Sequence, residues 1–76
     1  MYHTIEFNLG VWADLEVPGA ARLERVLIRP GTRLRARLKP YVVESSLGPT
    51  EVADLLLEDD SIARSVSFAC FRFADE

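Results

Sequence analysis

Apolar and polar residues alternate along most of the chain, and the alternation has a period of two. From His3 to Val17 the odd positions read His3, Ile5, Phe7, Leu9, Val11, Ala13, Leu15 and Val17. The even positions read Thr4, Glu6, Asn8, Gly10, Trp12, Asp14 and Glu16. A strand with one buried face has this signature. Fifteen residues exceed the usual strand length, and Asn8-Leu9-Gly10 supplies turn chemistry in the middle. The segment is therefore either a tight hairpin or one strand bent sharply at Gly10, ended by Val17-Pro18-Gly19.

Residues 20–28, AARLERVLI, carry two patterns. Leu23 and Leu27 at i, i+4 suit a short helix. Val26 and Ile28 are β-branched, and Pro30-Gly31 at the centre of RPGT is a type II turn signal. The turn leads into the alternating run Arg33–Leu38, so residues 24–29 are predicted to be a strand forming a hairpin with it. The alternative, a helix at about 19–29, would give a β-grasp-like α+β order. Pro40 lacks a ladder donor and marks an edge, a bulge or a break. Tyr41–Glu44 continues as a short strand, and residues 45–49, SSLGP, form a loop.

Thr50–Glu58 fits a helix N-capped by Thr50, or a strand passing through the turn Glu58–Ser61 into a last hairpin. In that hairpin Ile62, Val66 and Phe68 share one parity, with Arg64 the exception. Phe71 and Phe73 share the other. One turn of 3₁₀ helix around Ser67–Cys70 would account for the switch. Five or six short antiparallel strands at this spacing predict a mostly β fold, a small barrel spanning residues 1–76 as a single domain. A closing hairpin, one 3₁₀ turn and a short last strand resemble the ending of SH3-like barrels.

Composition fits a small globular unit. Of the 76 residues 49% are hydrophobic and 28% charged, which disfavours disorder. Cys70 is the single cysteine, so no internal disulfide forms and a reducing, cytoplasmic setting is expected. No apolar run approaches a membrane span, and the N-terminus lacks the pattern of a secretion signal. No membrane partner is expected.

The chemistry-bearing inventory is thin. His3 is the single histidine and lies on the apolar parity, as a packing residue would. Glu58, Asp59 and Asp60 lack the alternation and the glycine of a calcium loop and fit a solvated turn. There is no glycine-rich phosphate loop. No catalytic residue, metal site or cofactor is therefore predicted, and the chain is not expected to be an enzyme.

Charge is the more informative property. The net charge is −3, yet Arg33, Arg35, Arg37 and Lys39 recur at every second position, which puts four cations on one face of a strand. Twelve carboxylates are available to lie beside them. Trp12 falls on the polar parity of its strand, and Tyr41 stands near the surface beyond Pro40. Trp beside charges has the composition of an interface hot spot.

The expected function is a non-enzymatic interaction module, an accessory or inhibitory subunit. It would bind another protein with an acidic surface, or a second copy of itself, through Trp12, Arg33, Arg35, Arg37, Lys39 and Tyr41. The alternative is a nucleic-acid-binding barrel whose Arg33–Lys39 stripe tracks phosphates, with Trp12 and Tyr41 as stacking platforms. A third reading makes Arg33–Lys39 an edge strand whose charges and proline block unwanted pairing.

Overall fold

The computed structural model describes residues 1–74. They form seven antiparallel strands in one curled sheet, a half-barrel. The strands are β1 (His3–Phe7), β2 (Val11–Glu16), β3 (Glu24–Ile28), β4 (Arg33–Ser45), β5 (Gly48–Leu57), β6 (Ile62–Ser67) and β7 (Phe71–Phe73). A single 3₁₀ turn, Phe68–Cys70, precedes β7, and Ser67 caps it by accepting from the Ala69 N–H at 3.2 Å. The predicted mostly β class and the 3₁₀ turn before the last strand are both present. The helix alternative at 19–29 is not, because β3 pairs with β2 from Val11↔Ile28 to Leu15↔Glu24.

Across the sheet the order is β3-β2-β6-β5-β4-β1-β7. β1 and β2 are not paired with each other. The chain bends at residues 8–10 and carries the strand from one half of the sheet to the other. Phe7 and Val11 are four apart, so the odd positions stay on the core side through the bend. Ile5, Phe7, Ala13, Ala36, Ala53, Leu55, Ala63, Val66 and Phe71 form the core. Phe7, Phe68 and Phe71 pack with ring centroids 5.3–5.8 Å apart.

Three expectations are corrected. The first is the β3–β4 hairpin. Thr32 N–H donates to Arg29 O at 3.2 Å and Gly31 has φ +86°, as a type II turn requires. Turns of that hand splay the strands they join, because their twist opposes that of a ladder. β3 leaves to pair with β2, while β4 pairs with β1 and β5. The second is the separate short strand at Tyr41–Glu44 and the loop at 45–49. β4 runs through Pro40, and β5 already begins at Gly48. β1 covers β4 only from Arg33 to Ala36, so Pro40 lies where β4 has a neighbour on one side alone. A missing N–H is tolerated there.

The third is the phase of β6. Ala53 pairs with Val66, but Leu55 pairs with Ala63, so two β6 residues stand opposite Asp54. Ser65 takes φ +55° at this bulge. The core residues of β6 are consequently Ala63 and Val66, three apart, and Arg64 faces outward as ordinary alternation from Ile62 requires.

A candidate interaction surface on the outer face

The outer face of the sheet holds the polar parity of each strand. On β4 this places Arg33, Arg35, Arg37, Lys39 and Tyr41 in one row, as the alternation predicts. What the row meets is decided by register. Glu6 stands opposite Arg33 on β1 and opposite Arg72 on β7. Its Oε1 accepts from Arg33 Nε at 2.9 Å and lies 3.4 Å from Arg72 Nη2. The hydrogen bond from Arg33, reinforced by the charge of Arg72, outweighs desolvation and lowers the Glu6 pKa. Arg35 Nε is 3.4 Å from Glu58 Oε2 at the β5–β6 turn. Arg37 lies over the Tyr2 ring, 5.1 Å from its centroid. Among the described residues Lys39 meets no carboxylate at ion-pair distance, although Asp54 is its register partner.

Asp54 is occupied elsewhere. It is 6% exposed, and its carboxylate accepts from Tyr41 Oη at 2.8 Å, Ser65 N at 3.0 Å and Arg64 Nη1 at 2.8 Å. Tyr41 has one hydroxyl proton and gives it to Asp54, so the Ser65 hydroxyl 2.6 Å away donates to the Tyr41 oxygen. Arg64 reaches Glu16 as well, at 2.6 Å. Burial raises the Asp54 pKa, but the donors from Ser65, Tyr41 and Arg64 together outweigh it and hold the carboxyl below its usual value. The same two carboxylates, Glu16 foremost, raise the pKa of Arg64. This cluster fills the β-bulge: Asp54 takes the Ser65 N–H that the ladder cannot pair there, as a buried donor requires. The Tyr41 hydroxyl is therefore engaged within the sheet.

Trp12 stands apart from this row. It projects from β2 and is 58% exposed. β6 and β5 separate β2 from β4, so Trp12 and the basic row are roughly 14 Å apart at the spacing of neighbouring strands. They do not form one site. Opposite Trp12 on β3 is Leu27, itself 40% exposed. Arg25, one step along the same face, lies 6.0 Å from the Trp12 ring centroid and 3.8 Å from Asp14. Leu27 and Arg25 were missed in the sequence, where Leu27 served as evidence for a helix. The β-branched Val26 and Ile28 beside it carried the correct signal.

His3 packs edge-on against Phe73, with centroids 5.2 Å apart. Cys70 is half-buried against the core. Asp59 accepts from the Ser61 N–H at 3.0 Å, and this bond lowers its pKa. Among the described residues no three His, Cys, Asp or Glu side chains converge on a common point, and no helix is long and apolar enough to cross a membrane. Comparison with protein-family models, with curated proteins and with solved structures finds no match.

Proposed function

We propose that this protein is a non-enzymatic interaction module of a reducing compartment, a small SH3-like half-barrel that binds another protein through the outer surface of β2 and β3. The observation that carries this reading is Trp12. A large aromatic standing in solvent, with the exposed Leu27 directly opposite it, joins two apolar side chains on one face, and contiguous exposed apolar area is what marks interaction surfaces. Trp and Arg are both residue types enriched where binding energy concentrates. Arg25 beside Trp12 suits a partner with an acidic surface.

The nucleic-acid alternative would use the row on β4. Two of its four cations are held by Glu6 and Glu58, and Tyr41 is held by Asp54 and Ser65.

A photo-crosslinking amino acid placed at position 12 tests the reading in the cells that make the protein. Discrete adducts with another protein are expected there. The same group at position 47, where Leu47 is 96% exposed at the β4–β5 turn, should give none of them. Equal adducts from both positions, or adducts with nucleic acid, would sink the proposal. Trp12→Ala should leave the fold and its melting temperature nearly unchanged, as truncating an exposed side chain does.

A further inference from the structure

The sheet has several free edges among the described residues, and those other than β3 are short or contain proline; the free part of β5, residues 48–51, holds Pro49. β7 is three residues long. The half of β4 beyond Ala36 contains Pro40, whose ring offers no donor. β3 is different. It stands last in the sheet with β2 as its one neighbour, it is five residues long, and it contains no proline. Its outward edge therefore presents unpaired backbone groups over an ordinary strand length.

The two faces of β3 constrain what could pair there. On the inner face Val26 and Ile28 are half-buried at the rim of the core. On the outer face Leu27 and Arg25 are exposed. Charge narrows the choice further. Residues 22–29 hold Arg22, Arg25 and Arg29 against Glu24 alone, in a chain whose net charge is −3. Arg25 lies 3.8 Å from Asp14 on β2, so the positive excess at the free edge comes from Arg22 and Arg29, which flank the strand.

We propose that β3 accepts an added strand from an extended acidic segment of the partner protein. In that segment apolar residues alternate with outward-facing side chains. Its inward residues would continue the core over Val26 and Ile28. Its outward residues would place a carboxylate beside Arg25 and an apolar group beside Leu27 and Trp12. Main-chain hydrogen bonds supply affinity in this mode, and alternate side chains supply specificity. A second copy of the chain is a poorer occupant, since antiparallel β3–β3 pairing brings the arginines that flank the strand, Arg22 and Arg29, toward those of the other copy. This inference rests on the Trp12 surface and adds to it the kind of partner and the manner of its docking.

The probe is a short synthetic peptide of valines alternating with glutamates, with leucine at the central outward position. It is compared with the same peptide bearing lysine for glutamate, and with two forms of it, each N-methylated along one of its two edges. Amide spectra of the intact protein report binding. Expected are shifts and slowed exchange at residues 24–28, an affinity about tenfold above that of the lysine peptide, and loss of binding on N-methylation of one edge or the other. Arg25→Glu should invert the charge preference, with the amide spectrum confirming that the variant is folded.

Equal binding of the lysine peptide overturns the proposal, as do full binding of both N-methylated forms and no binding at about 1 mM. A dimer of the protein alone with protected β3 amides would also overturn it by giving the edge to a second copy. The two readings fail separately. Peptide binding that moves the Trp12 indole but not the β3 amides refutes strand addition alone. Protected β3 amides that ignore Trp12→Ala refute the role of Trp12 alone.

Discussion

Asp54 carries the heaviest demand of any single residue. Three donors converge on a carboxylate that is nearly out of solvent, and removing the acceptor leaves them competing for water they can reach only in part. Asp54→Ala is expected to cost about 1–3 kcal/mol. Tyr41→Phe, which removes one bond to the carboxylate and one from Ser65, should cost about 0.5–1.5 kcal/mol. Urea denaturation at neutral pH measures both.

The same residue shapes the acid response. Its pKa lies below the ordinary 3.8 in the folded chain, so as pH falls the unfolded chain takes up the proton first. Stability from Asp54 is thus fully present above about pH 4 and is lost as pH falls through the lowered folded value. Glu6, lowered from 4.5, and Asp59, lowered from 3.8, act in the same direction. Asp54→Asn should make the acid limb of the stability curve shallower. An unchanged limb would assign the acid sensitivity to Glu6 and Asp59. None of this cluster was legible beforehand. Its partners lie on three strands and meet through a bulge that alternation alone does not register. Trp12 was legible, because its parity alone set it outside.

At the scale of elements, strand identity followed from alternation and β-branching, while pairing did not. Residues 24–28 form a strand as Val26 and Ile28 indicate. The partner expected from chain order is not the one observed, because the Pro-Gly turn is of type II and not a hairpin turn. Its positive φ falls at the second central residue, Gly31, the geometry that splays strands. Gly31→Ala tests that corner. Nothing lies within 4 Å of the added Cβ, so the cost is purely conformational, about 1–2 kcal/mol from denaturant curves.

Pro40 tests the neighbouring element. Among the described residues the half of β4 that contains it has β5 as its one neighbour, so Pro40→Thr should barely alter folding stability. It should raise self-association in light scattering, because it returns a donor to an exposed edge. The edge reading of Arg33–Lys39 thus holds for its second half and fails for its first, where β1 lies alongside.

For the whole molecule, the question is whether an acidic chain with a basic strand has a binding face for polyanions. A chain of this size buries only about 60% of its unfolded surface, so each cross-strand pair counts toward a thin margin. The outer face is laced by such pairs: Arg33 and Arg72 with Glu6, Arg35 with Glu58, Arg64 with Glu16 and Asp54, Arg25 with Asp14. Arg33→Glu would set a carboxylate against Glu6 and should cost roughly 0.2–1 kcal/mol. High salt should reduce that cost, since Arg33 is exposed. Phosphates would have to displace carboxylates already in place to use Arg33 or Arg35, which leaves Arg37 and Lys39. Two phosphate contacts correspond to a salt slope of about −1.8 in a log–log plot for duplex DNA. The expected result is therefore weak or undetectable binding of single- and double-stranded oligonucleotides at low salt, with a slope no steeper than about −2. Fluorescence anisotropy across a salt series measures it. A slope near −4 would mean that all four cations contact phosphate, that Glu6 and Glu58 give way, and that the basic strand rather than Trp12 is where this protein meets its partner.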